Sequence, residues 1–118
     1  MAPTLDGMKL LLVEDDDLVA LTVEEMLLQA NAATVVVAAN IANALRALDE
    51  GSFDAAIVDI NLAGQLSWPV AAELRRLGIP YLSVTGYGDS LQHELLGKLL
   101  PKPYSMQQMI DAVASLVS

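Results

Sequence analysis

A doubly wound parallel α/β sheet is the fold class that this 118-residue sequence predicts. Five short apolar runs lack polar alternation, as strands buried on both faces do. The stretches between them repeat apolar residues with the period of a helix and carry helix start and stop signals. Acidic and other polar residues gather where the runs end, the edge at which such sheets bind ligands.

The first run is Lys9–Val13, and it leads into Glu14, Asp15, Asp16 and Asp17. Asp16 and Asp17 suit a helix start, where a carboxylate caps free N–H groups and meets the positive end of the dipole. A helix follows, with Val19, Val23, Met26, Leu27 and Ala30 on one face. The second run is Thr34–Val37. Asn40 then caps a helix with Ile41, Ala44, Leu45 and Leu48 inward, and Gly51 stops it. Ala55–Asp59 is the third run. Ser67, Trp68 and Pro69 open the next helix, and Gly78 with Pro80 closes it. Tyr81–Val84 is the fourth run and Lys98–Pro101 the fifth. Between them, Tyr87 to Gly97 has the weakest pattern, because GYGDS is turn-like and SLQHELLG is short for a helix. Ser105 and Gln108 form a capping box for a last helix ending near Leu116.

Five strands joined by right-handed crossovers put helices on both faces of the sheet. The flavodoxin-like order 2-1-3-4-5 is expected, within a single domain over residues 1–118 that carries no output module. Apolar residues make up 54% of the chain, yet no run approaches the roughly 18 residues that span a bilayer. MAPTLDG lacks the regions of a signal peptide. There is no cysteine, hence neither a disulfide nor a thiolate metal site, and a cytoplasmic location is expected. A net charge of −9 with scattered basic residues excludes a phosphate-backbone partner. Neither nucleic acid nor membrane is an expected partner.

Glu14 and Asp15 remain unexplained by capping. Adjacent carboxylates repel unless something offsets the charge, and a hard cation with oxygen ligands would do so. The other strand ends add Asp59, Thr85 with Gly86, and Lys102 before Pro103. Taken singly, each has an ordinary reading: a turn cap, a β-branched strand residue, a solvated lysine. Their joint placement at one edge of one sheet favours a site. His93 and Trp68 read as an exposed loop histidine and packing at a helix start.

VEDD after a strand, IVD ending in Asp59, VTG with Thr85, and the pair Lys102–Pro103 resemble the receiver domain of two-component response regulators, from about Lys9 to Leu116. WPVAAELRRLGIPYLSVTGYG is similar to the alphaproteobacterial FAT GUY receivers, whose fourth strand reads PFxFATG. Tyr81 stands at the first Phe, Ser83 at the second and Val84 at the Ala. The resemblance implies that Asp59 accepts a phosphoryl group from a sensor histidine kinase or a histidine phosphotransfer protein. It implies Mg²⁺, or Mn²⁺ in its place, held by Asp15, Asp59 and the backbone carbonyl of Asn61, with Glu14 acting through water. Lys102 and Thr85 would bind phosphoryl oxygens, Gly86 would leave the backbone open, and Pro103 would follow a cis bond. The usual switch aromatic is replaced by Leu99. The Tyr87–Gly97 segment is then the expected mobile element, with Tyr87 shielding the acyl phosphate from water.

The chain is expected to accept phosphoryl groups rather than turn over a substrate, acting as relay, phosphate sink or switch for a downstream protein. Two rivals stand beside this reading. One is a receiver-like module that binds partners without phosphorylation. The other is a small Mg²⁺-dependent aspartyl phosphatase of the haloacid-dehalogenase type, disfavoured because Asn61 stands where that family has a second Asp. The sequence does not specify the oligomeric state.

Overall fold

Alternate residues of the central strands face two separate helix layers, and this divides the core in two. The computed structural model describes residues 4–86 and 93–117. Its main sheet is built from β1 (Lys9–Val13), β2 (Thr34–Ala38), β3 (Ala55–Asp59), β6 (Tyr81–Thr85) and β7 (Lys98–Pro101), all parallel. The spatial order is β2-β1-β3-β6-β7, the flavodoxin-like 2-1-3-4-5 order when these five are counted alone.

Leu10, Leu12, Ile57, Leu82 and Val84 meet Val23 and Leu27 of α1 (Asp17–Gln29) and Met109, Ile110 and Val113 of α4 (Met106–Leu116). Leu11, Val13, Ala56 and Val58 meet Ala44 and Leu48 of α2 (Ile41–Glu50) and Val70, Ala71 and Leu74 of α3 (Trp68–Leu77). The period-2 alternation of a strand sends neighbours to opposite faces, so the short runs need apolar residues throughout. Full burial of each Val, Leu, Ile or Met among these contributes about 1.5–3 kcal/mol against leaving it exposed.

The caps follow the sequence. Asp16 accepts from the N–H groups of Leu18 and Val19, both at 3.0 Å, and Asn40 from Asn43 at 2.8 Å. Ser105 and Gln108 exchange both capping-box bonds. Gly78 ends α3 in the left-handed region, φ 72°, where a Cβ is costly. Two strands run one residue beyond expectation, to Ala38 and Thr85.

Two features depart from the sequence reading. A small antiparallel hairpin, β4 (Asn61–Leu62) with β5 (Gln65–Leu66), follows β3 directly. Ala63 and Gly64 turn it with φ 51° and 89°, and the Gly64 N–H donates to Asn61 Oδ1 at 2.8 Å. In the β6–β7 connection, residues 93–97 form a turn rather than a helix. The reading of Tyr87 as a shield, and the first part of the Tyr87–Gly97 segment, lie outside the described residues.

Candidate functional site

At the carboxyl edge of β1, β3 and β7 lies an open cleft of about 480 Å³, lined by Glu14, Asp15, Asp16, Asn61, Asp59, Gly86 and Lys102. Parallel strands deliver their last residues to the same edge, which is why residues so far apart in sequence meet here. One carboxylate oxygen each from Glu14, Asp15 and Asp59 lie within 4.8 Å of one another. Glu14 and Asp59 are buried, while Asp15 is more open.

Local backbone geometry holds the acids in place. Glu14 Oε2 accepts from the Asp16 N–H at 3.1 Å, and the Glu14 N–H donates to the carbonyl of Ala38 at 3.0 Å. Asp59 is held on both oxygens. Oδ1 accepts from the Asn61 N–H at 3.2 Å, and Oδ2 meets Lys102 Nζ at 3.2 Å.

Burial pushes the Glu14 carboxyl up to about 7, and the neighbouring Asp59 pushes the same way; the Asp16 N–H and Lys102 oppose it. Burial works against the charge on Lys102, but the carboxylates of Asp59 and Glu14 outweigh it and hold its pKa above the usual value. Three acids therefore face one ammonium, and the edge carries an excess of negative charge.

That donor set fits a hard divalent cation. Every donor is an oxygen, and an octahedral Mg²⁺ with bonds of about 2.0–2.1 Å spaces its ligands about 3–4 Å apart, within easy reach of this cluster. Asn61, the first residue of β4, lines the same cleft.

The remaining predicted residues fall around this centre. Thr85 is buried at the end of β6 and does not line the open cleft; its carbonyl accepts from the Lys102 N–H at 2.8 Å. A Cβ built on Gly86 would meet nothing within 4 Å, so that backbone is open to approach. The Lys102–Pro103 peptide is cis. Leu99 is half-buried on β7, paired in register with Ser83. Trp68 and His93 stack on each other, a contact that the sequence reading did not foresee. Tyr104 was also missed. It lines a small cavity with Glu14 and Asp59 beneath the cleft, and burial raises the pKa of its hydroxyl. Its position two residues after Lys102 was the available signal.

Residues 10–114 match the model of the response regulator receiver domain. The chain belongs to that family. No curated protein sequence matches it. Among solved receiver domains and relatives, SdrG from Sphingomonas melonis Fr1 is 33% identical, with a TM-score of 0.75 over 95% of this chain and 98% of that one. A receiver protein from Sinorhizobium medicae WSM419 is 24% identical with a TM-score of 0.81, over 97% of each chain. TrrA from Thermotoga maritima, solved in complex with Mg²⁺ and BeF, is 22% identical with a TM-score of 0.81, over 92% of this chain and 98% of that one. The last two establish a shared fold. Among the described residues of this receiver domain, no helix is long and apolar enough to cross a membrane.

Proposed function

We propose that this receiver domain accepts a phosphoryl group on Asp59 from a phosphohistidine of a sensor histidine kinase or a histidine phosphotransfer protein. One observation carries the reading: the Asp59 carboxylate is buried, held on both oxygens, and faces the cleft with two further acids and a lysine. A carboxylate oxygen of Asp59 attacks phosphorus and forms an O–P bond as the P–N bond to the donor imidazole breaks. The imidazole leaves with the electron pair and takes a proton from solvent. Lys102 moves from Asp59 to a phosphoryl oxygen, and the hydroxyl of Thr85 donates to another. Gly86 leaves room for the group. Asp15, Asp59 and the Asn61 carbonyl, with Glu14 through water, would hold Mg²⁺, or Mn²⁺ in its place, which when bound would neutralise charge on the phosphoryl oxygens.

The domain is a stoichiometric acceptor, not a turnover enzyme, and works in the cytoplasm. Phosphorylation shifts a conformational population and thereby the binding of a partner protein; relay and sink roles use the same chemistry. The resemblance to the FAT GUY receivers supports a switch that does without an aromatic at Leu99.

The proposal is tested by incubating wild type and Asp59→Asn with phosphoramidate, whose P–N bond mimics phosphohistidine, and reading intact mass. One added phosphoryl group on wild type, lost with hydroxylamine and absent from Asp59→Asn, is expected. No adduct on wild type would favour the module that binds without phosphorylation.

A further inference from the structure

Three alternate residues of β6 carry hydroxyls: Tyr81, Ser83 and Thr85. Alternate residues of a strand share a face. Leu82 and Val84, between them, pack into the core beneath α1 and α4, so the hydroxyls point toward the other layer. Two of the three bind the chain that follows. Tyr81 donates to the carbonyl of Leu95 at 2.6 Å and accepts from Arg75 Nε in the last turn of α3 at 3.0 Å. Ser83 donates to the carbonyl of Leu96.

Residues 93–97 thus borrow partners from β6, and two packing contacts complete the attachment. Trp68 at the start of α3 stacks on His93, with ring centroids 4.0 Å apart and planes 9° from parallel. Gly97, at φ 64°, lies against the ring of Tyr81, where an added Cβ would come within 2.8 Å of Cε2.

The third hydroxyl of the column belongs to Thr85, buried just before Gly86, which lines the phosphoacceptor cleft. Thr85 is bonded through its carbonyl to the N–H of Lys102, which ties the end of β6 to the backbone of the lysine. Ser83 sits about 6.6 Å along the strand from Thr85 at ordinary strand rise. Because its acceptor is a backbone carbonyl, a shift of β6 displaces the chain at 95–97 and not merely a side chain. Leu99, the register partner of Ser83, has neither a ring nor a polar atom to perform this task.

We infer that Tyr81 and Ser83 are positioning residues that pass the state of the Asp59 site to residues 93–97 through their hydroxyl bonds to the Leu95 and Leu96 carbonyls. The inference rests on the phosphoacceptor reading above. It names the coupling that stands where the missing aromatic would act.

Trp68 is the chain's single tryptophan and stacks on its single histidine, so its emission reports this attachment. The experiment follows emission, and amide exchange at Leu95, Leu96 and Gly97, in Mg²⁺ with and without fluoroberyllate. Wild type, Ser83→Ala, Tyr81→Phe and the double variant are compared, each also assayed for the phosphoryl adduct by intact mass. Wild type is expected to change both signals. The double variant is expected to take one phosphoryl group while losing most of that change. Tyr81→Phe keeps the ring against Gly97, so a role in packing alone would leave its response intact. If the double variant unfolds, the single variants carry the test, each with a reduced response expected. A full response in the variants, or a wild-type adduct without any response at these positions, would overturn the inference. Absence of a wild-type adduct would overturn the phosphoacceptor reading and this inference with it.

Discussion

The end of β1 and the chain after β6 hold their polar groups in opposite ways. At β1 the partners lie within a few residues. Glu14 takes the N–H of Asp16, and Asp16 takes those of Leu18 and Val19. After β6 the partners lie far apart in sequence, from Tyr81 to Leu95 and from Ser83 to Leu96. The first region is stiff because the helix start fixes it, and it concentrates charge. The second depends on β6 for its anchorage. A locally held charged edge beside a segment anchored from another strand suits a site in which the edge binds and the neighbour responds. Local openings fall where long-range support is thin.

That contrast can be sharpened by substitution. The largest expected effect is at Gly97. Alanine there meets both a left-handed backbone and the Tyr81 ring, so Gly97→Ala should destabilise by about 2 kcal/mol, given about 1–2 kcal/mol for the backbone alone. Urea unfolding measures it, and an unchanged midpoint would mean that the 93–97 attachment carries no weight.

Asp16→Ala removes the cap of α1 and should cost about 1 kcal/mol by the same method. The response of Trp68 to fluoroberyllate should survive, since that cap lies outside the β6 attachment. Loss of the response would break the separation drawn between the two regions.

A further expected effect is a pH slope. In the cation-free domain burial holds the Glu14 carboxyl near 7, above its ordinary 4.5, so the folded state holds its proton more tightly than the unfolded state. The resulting stabilisation is complete below about 4.5 and fades as pH rises through about 7. The urea midpoint of wild type, relative to Glu14→Gln, should therefore fall across that window. A flat difference would show that Glu14 is not buried as described.

The same contrast explains what the sequence made legible. Strand ends and caps are local patterns, so β1, β3 and the acids Glu14, Asp15 and Asp59 could be read from LLVEDDDLV and AAIVDI. Lys102 could be placed because parallel topology sends every strand end to one edge. The β4–β5 hairpin was not legible: Asn61 to Leu66 offers no run long enough to register as a strand, and Ala63 gives no sign of a positive φ. The attachment of residues 93–97 was not legible for a different reason. Its partners are on β6, and no local pattern reports a hydroxyl's distant acceptor. Tyr104 was overlooked because its role depends on the cavity it shares with Glu14 and Asp59.

The central claim is that three carboxylates share one edge because a divalent cation belongs among them. The most direct test is the stability of wild type and Asp15→Asn in urea with increasing Mg²⁺. Binding to the folded state alone should raise wild-type stability by about 2.7 kcal/mol when Mg²⁺ reaches about a hundred times its dissociation constant, with Asp15→Asn needing far more cation for the same gain. Equal Mg²⁺ dependence in the two proteins, or none in wild type, would contradict the account.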